Sequence, residues 1–224
     1  MITIEQTRKA WVRAANFPAN KEQMYPEHAV VQEFDLLGQK NVLEYGCGGG
    51  SDTLSYLRRL CRVWYVDVVP ENVQRTTERV HMAGYKDRAY PLVLDDSAPI
   101  PLGAGYFEVV NAHGVVHHIE DPHTVEFVIN EFRRLLKADG VVYVMLYTEM
   151  LWRRCAARID ALVTSGRCAT PEEAFAWTTD GEGAPYARAY TEEEGRALFS
   201  PGFNVLGARV YNNGDFRTFK AVRA

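Results

Sequence analysis

The sequence predicts an α/β chain built on a doubly wound, mostly parallel sheet. Three observations point there. Short apolar runs alternate with amphipathic segments from residue 41 to residue 147, the rhythm of strands and crossover helices. The first run, Asn41-Val42-Leu43-Glu44-Tyr45, opens into the glycine cluster Gly46, Gly48, Gly49 and Gly50, which reads as a strand, a tight turn and a helix start. Glu44, Asp67, Asp96, His113 and Tyr147 all fall at or just after the ends of successive runs, and open α/β sheets hold their ligands at those carboxyl ends.

The elements follow in order. Residues 3–16 form an amphipathic helix through Ile4, Trp11, Val12 and Ala15, broken at Phe17-Pro18. Pro26 restarts a short helix that ends at Gly38. Strands are expected at 41–45, 62–67, 89–94 and 106–110, with Pro70 opening a helix that runs to Ala83-Gly84. A helix over 122–137 stops at Ala138-Asp139-Gly140. Val141 to Tyr147 is continuously apolar, as a buried central strand should be. Met150 to Ser165 is helical, and Thr170 caps another helix. A long Gly/Pro-rich loop follows over 179–186, a type of segment that often binds ligands. Thr191 and Glu194 make a capping box. Strands at 203–211 and 215–223 meet at Asn212-Asn213-Gly214, a hairpin signal. The chain is therefore read as one domain, with an N-terminal helical cap over 1–38, a cofactor-binding core over 39–148, a helical and loop insertion over 149–190, and a C-terminal helix and hairpin over 191–224.

Composition narrows the function classes. A net charge of −4 argues against nucleic acid as the main ligand. The pairs Arg58-Arg59, Arg133-Arg134 and Arg153-Arg154 read as solvated helix faces. The four cysteines, Cys47, Cys61, Cys155 and Cys168, show neither a metal-binding nor a disulfide spacing. The start lacks a signal-peptide pattern, and no apolar run approaches the roughly 18 residues needed to cross a bilayer. A cytoplasmic protein without a membrane partner is expected.

Chemistry enters through the glycine loop. Glycines there let backbone approach a ligand closely, and Asp67 closes the second apolar run, where an acid can hold ribose hydroxyls. An adenosine-containing cofactor is implied. The dinucleotide spacing G-x-G-x-x-G is not met: counted from Gly46 its third glycine falls on Ser51, and from Gly48 on Thr53. The spacing that fits is Glu44-x-Gly46-x-Gly48-x-Gly50, which resembles motif I of the class I S-adenosylmethionine (SAM)-dependent methyltransferases. Over about residues 38–148 three further segments are similar to that family. These are Leu94-Asp95-Asp96-Ser97 to Leu102, with Asp95 where glycine is more usual; Glu108 to His118; and Glu131 to Gly140.

The resemblance implies a Rossmann-like seven-stranded sheet with a C-terminal antiparallel hairpin, and SAM as cofactor with S-adenosylhomocysteine as product. It places Glu44, Gly46, Cys47, Gly48, Gly50, Asp67 and Val68 around the cofactor. Asp96 and Ser97 would meet the adenine, and backbone near Ala112 and His113 the methionine part. Asp52 either reaches the amino group of SAM or simply suits the positive helix N-terminus. Aromatic faces hold sulfonium cations, so Tyr25, Trp11 and Tyr147 are candidates for that wall. Cys47 reads as a small residue, not a nucleophile.

Met145-Leu146-Tyr147, the segment from Thr179 through Tyr190, and Trp11, Tyr25 and Pro26 also resemble a group of uncharacterised small-molecule methyltransferases. This implies a small-molecule acceptor, methylated at oxygen or nitrogen, under a helical lid. Tyr147, Tyr186, Arg188 and Tyr190 are the candidate acceptor contacts. Arg188 pairs either with an acceptor carboxylate or phosphate or with the protein's own surface. His117, then His113, is the candidate general base, while His118 packs or caps the turn at Ile119-Glu120-Asp121-Pro122. No metal is expected, since no ligand spacing demands one. The alternatives are a non-catalytic SAM-binding partner subunit and, less favoured, a nicotinamide-dependent oxidoreductase.

Overall fold

The structure, a computed structural model, describes residues 4–14, 40–95, 98–200 and 202–224. The helix expected after Pro26 lies outside these residues. Helix α1 is Ile4–Ala14. The core then runs β1 (Asn41–Tyr45), α2 (Ser51–Arg58), β2 (Arg62–Asp67), α3 (Pro70–Met82), β3 (Ala89–Val93), β4 (Phe107–His113), α4 (Pro122–Leu135) and β5 (Leu136–Tyr147). Two helices, α5 (Glu149–Thr164) and α6 (Pro171–Asp180), follow. The chain closes with α7 (Glu192–Ala197), β6 (Phe203–Tyr211) and β7 (Phe216–Arg223). No helix among the described residues is long and apolar enough to cross a membrane.

The sheet order is β3-β2-β1-β4-β5-β7-β6. Strands β1 to β5 are parallel, and β7 inserts antiparallel between β5 and β6. Chain order reverses direction between β1 and β4, which makes the crevice at their carboxyl ends the switch point of the sheet. Period-two alternation divides the core. Leu43, Val110, Val142 and Val144 face α4 and, after α7, Leu198 and Phe199, while Val42, Val63, Tyr65 and Val109 face α2 and α3. Met145 and Tyr147 meet α5 and α6 through Ile159, Leu162, Ala174 and Phe175.

Three sequence expectations are corrected. Strand β4 runs on to His113, because Asn111, Ala112 and His113 pair with Tyr143, Val144 and Met145 of β5. Helix α4 stops at Leu135, because Leu136 is extended and fully buried, paired with Phe107. The register then slips, so that Val141 pairs with Val109, and Lys137 pairs with Glu108 across the irregular stretch. Arg134 is not a solvated face. It donates to both carboxylate oxygens of the buried Glu131, at 2.7 Å each, and to the carbonyls of Ile100 (2.9 Å) and Leu102 (2.7 Å). Glu131 also accepts from the Ile100 N–H at 3.0 Å. Arg134 thus clasps the segment after β3 onto α4.

That clasp has a pH signature. The Arg134 hydrogen bonds outweigh burial and hold the Glu131 carboxyl below the usual glutamate range. A lowered folded-state value contributes stability above the ordinary value of about 4.3, and the contribution is lost as pH falls through the folded-state value. Glu131→Gln is expected to cost about 2 kcal/mol at pH 7. Urea unfolding at neutral pH and below pH 4 checks this: the gap between the two proteins should narrow in acid.

The hairpin turn takes three successive left-handed residues, Asn212 (φ 52°), Asn213 (φ 55°) and Gly214 (φ 92°). Asparagine and glycine tolerate that conformation better than other residues. Arg154 pairs with Asp215, and Thr148 donates to the Gly214 carbonyl, so the turn is fastened to the start of α5.

Candidate active site

The glycine loop is bent back onto β2. The Gly46 and Cys47 N–H groups both donate to the Val66 carbonyl, at 2.8 and 2.9 Å. Gly46, Gly48 and Gly50 take φ of 81°, 49° and 78°, a region costly for residues with a Cβ. Helix α3 grips the loop from outside: Thr76 donates to the Gly48 carbonyl at 3.1 Å and Arg79 to that of Gly49. Asp67, at the end of β2, is 7% exposed. It accepts from the Gly48 N–H (2.9 Å), the Val69 N–H (2.9 Å) and the Asn72 amide (3.2 Å). Loop and acid are thereby locked to each other.

Beneath the loop lies a buried polar group. Glu44 accepts from the Thr53 hydroxyl, and Asp52 from the Asn111 amide at 3.5 Å. Asp52 is thus turned inward at the start of α2. The Asn111 side-chain amide oxygen is buried and accepts no hydrogen bond among the described residues. Burial, then Asp67 and Glu44, push the Cys47 thiol well up, so it stays protonated and inert.

These residues fit a cofactor of the adenosine type. A Cβ at Gly48 would meet nothing within 4 Å, unlike one at Gly46 or Gly50, which would strike Val115 or Thr76. The loop therefore leaves open space at Gly48, beside Asp67. The Asn111 side-chain oxygen adds a buried acceptor without a donor among the described residues, next to the Asp52 carboxylate, which suits an ammonium group.

Helix α1 crosses this edge. Arg8 donates to the carbonyls of Val68 (2.6 Å) and Leu94 (3.0 Å), at the ends of β2 and β3. One turn on, the Trp11 ring meets His118 edge-on at 4.6 Å.

On the β4–β5 side, His113 ends β4 and His117 sits in the turn that follows, both buried. The His117 ring lies 3.9 Å from the Tyr147 ring and 4.2 Å from that of His118. Tyr147, ending β5, donates to Asp180 at 2.6 Å, and Asp180 lies 3.8 Å from His118 Nε2. A strap over 186–190 ties across these groups. The Tyr186 carbonyl accepts from His118 at 2.8 Å, which places a proton on Nδ1. The Arg188 and Tyr190 N–H groups donate to the His117 and Tyr147 carbonyls, each at 2.9 Å.

A cleft of about 430 Å³ opens beside the strap, lined in part by Trp152, Tyr186 and Arg188. Arg188 is held by Glu194 at 2.8 Å and lies over the Tyr190 ring at 4.2 Å. That ring is not brought to the Tyr147 group. It packs in the opposite core and lines a second cleft of about 300 Å³ with Ile119 and Leu198. Burial, against the pull of Arg188, pushes the Tyr190 phenol up to about 12, so it is protonated at neutral pH.

Residues 43–144 match a family model described as "Methyltransferase domain". These residues are a methyltransferase domain. SAM is the cofactor that this domain implies. An uncharacterised protein of Synechococcus sp. is 30% identical over 118 residues, 51% of this chain and 27% of that protein. A ubiquinone biosynthesis O-methyltransferase of Psychrobacter arcticus is 28% identical over 115 residues, 51% of this chain and 43% of the relative. The chain thus spans less than half the length of the curated relatives it matches. A crystal structure of a SAM-dependent methyltransferase from Methanosarcina mazei superimposes with a TM-score of 0.68 at 18% identity, covering 86% of this chain and 96% of that one. This last likeness is one of fold.

Of the candidate residues, Glu44, Gly46, Cys47, Gly48, Gly50, Asp52, Asp67 and Val68 gather at the ends of β1 and β2. Ala112, His113, His117, Tyr147, Tyr186 and Arg188 gather at the ends of β4 and β5. Tyr25, Asp96 and Ser97 lie outside the described residues. Sequence reasoning passed over Asn111, Asp180 and Arg8. Asn111 lay beyond the expected end of β4, and nothing local marks Asp180 as the partner of Tyr147.

Proposed function

We propose that this chain transfers a methyl group from SAM to a small-molecule acceptor, at oxygen or nitrogen. The observation that carries this reading is the strap over 186–190, fastened across His117, His118 and Tyr147 beside a cleft of small-molecule size. Bound SAM supplies a methyl already activated by its sulfonium. The protein's task is then alignment and removal of a proton where the acceptor carries one. Asp67 would hold the ribose, and Asp52 with Asn111 the ammonium. The Asp96 and Ser97 contacts to adenine and the Tyr25 aromatic face belong to the same reading, as do backbone contacts at Ala112 and His113. Tyr147, Tyr186 and Arg188 would line the acceptor, with Tyr190 securing the strap through its backbone. His117 is the proposed base, with His113 next. Oxygen is favoured by the name of the Psychrobacter relative. The four cysteines are free thiols, which supports a cytoplasmic setting.

The test is release of S-adenosylhomocysteine from SAM over a panel of small phenols, amines and carboxylates. On any acceptor found, His117→Ala is expected to cut turnover by about 10²-fold or more, with S-adenosylhomocysteine affinity unchanged. Normal turnover would remove His117 as base, and release with no acceptor in the panel would count against the reading.

A further inference from the structure

The cleft beside the strap has a charge pattern that restricts what it can take. Its two walls come from α5, with Glu149, Trp152 and Arg153, and from α6 with the strap, giving Glu172, Tyr186 and Arg188. Two of its four charges are already satisfied by the protein. Glu149 accepts from Arg217 at 3.3 Å, and Arg188 donates to Glu194 at 2.8 Å. Arg153 and Glu172 make no ion pair among the described residues. One cation and one acid therefore face the same cleft from opposite walls, each without a counter-charge among the described residues.

The aromatic groups fit that pattern. Trp152 and Tyr186 give the cleft two ring-bearing walls, and Trp152 is itself braced on Phe175 at 4.7 Å. Burial pushes the Tyr186 phenol up; Arg188 pulls it down, and the Glu172 carboxylate adds to the upward push. The Tyr186 hydroxyl and the unpaired acid therefore share one field, and the hydroxyl stays protonated as a donor.

From this pattern we infer that the cleft takes a small aromatic zwitterion, its carboxylate toward Arg153, its ammonium toward Glu172 and its flat body against Trp152 and Tyr186. An anion of the same size would satisfy Arg153 and leave Glu172 opposite nothing. A cation would satisfy Glu172 and lie near two arginines. A neutral ring would desolvate both charges without replacing their water. Only a ligand with both charges answers both walls, and charge-assisted hydrogen bonds are the strong ones. The inference rests on the reading that this cleft is the acceptor site, and it names the class of acceptor.

The experiment uses three probes that share a phenol ring and differ in charge: L-tyrosine, tyramine and 4-hydroxyphenylacetate. Their binding to the full chain is measured by titration calorimetry with S-adenosylhomocysteine at saturation, after its own binding has been recorded. L-Tyrosine is expected to bind at least about fivefold more tightly than either singly charged probe, the scale of one charged hydrogen bond at a half-exposed site. Arg153→Gln should bring it down to the level of tyramine, and Glu172→Gln to that of 4-hydroxyphenylacetate. Both side chains are at the cleft surface, so folding should survive, and S-adenosylhomocysteine affinity serves as the control. Equal binding of the three probes, no binding of any, or a preference unchanged in both variants would overturn the inference. If S-adenosylhomocysteine binds and the charge preference is missing, only the acceptor class falls. If S-adenosylhomocysteine does not bind, the methyltransferase reading falls with it.

Discussion

Asp67→Ala is expected to lower the affinity for S-adenosylhomocysteine about a hundredfold. The carboxylate has two tasks in this fold. It anchors the glycine loop through the Gly48 N–H and the start of α3 through the Val69 N–H and Asn72, and it is the acid proposed to hold the ribose hydroxyls. Hydrogen bonds to a charged group contribute about 1.5–3 kcal/mol each, so losing the ribose contacts alone reaches that range. Asp67→Asn separates charge from shape. An amide nitrogen cannot accept from the Gly48 or Val69 N–H, so this variant should still lose at least about tenfold. Titration calorimetry on folded protein checks both, and unchanged affinity in Asp67→Ala would remove this acid from the cofactor site.

Gly46→Ala is expected to cost the fold about 3 kcal/mol. Two terms contribute. The residue sits at φ 81°, where a Cβ costs about 1–2 kcal/mol. The new Cβ would also lie 2.2 Å from Val115 Cγ2, and overpacking of this kind costs typically about 1–3 kcal/mol. For a domain of this size the sum corresponds to a fall in melting temperature of roughly 10 °C. A second change, Val115→Ala, makes room for the Cβ but leaves the backbone strain. Relative to Val115→Ala alone, the added alanine at residue 46 should then cost about half as much. The full 3 kcal/mol in both backgrounds would mean that Val115 is not the obstacle.

Much of this fold is readable in the chain because its parts announce themselves locally. Val42 to Tyr45 and Val63 to Val66 are apolar runs bounded by glycines and acids, and the loop at Gly46 needs residues that tolerate positive φ. The Thr191–Glu194 capping box and the Asn212–Gly214 turn are likewise local chemistry, and both form as expected. Long-range pairing is what the chain hides. Asn111 and Ala112 are poor strand formers, and with His113 they extend β4 because β5 pairs with all three and β1 with Asn111. Arg134 looked solvated until Glu131 and the carbonyls of Ile100 and Leu102 were placed around it. The same holds at the candidate site. The proposed cofactor side follows from one contiguous loop and one acid. The proposed acceptor side joins Tyr147 to Asp180 and His117 to Arg188, across 33 residues in the first case. No periodicity or motif reports such a contact.

The central claim is that the glycine loop and Asp67 hold SAM, and the most direct measurement is a thermal shift with S-adenosylhomocysteine, SAM and NAD in parallel. At about a hundredfold above its Kd, a ligand stabilises by about 2.7 kcal/mol, roughly 5–10 °C for a chain of this size. The structure predicts that shift with S-adenosylhomocysteine and SAM and none with NAD. A shift with NAD alone, or no shift with any of the three, would contradict it.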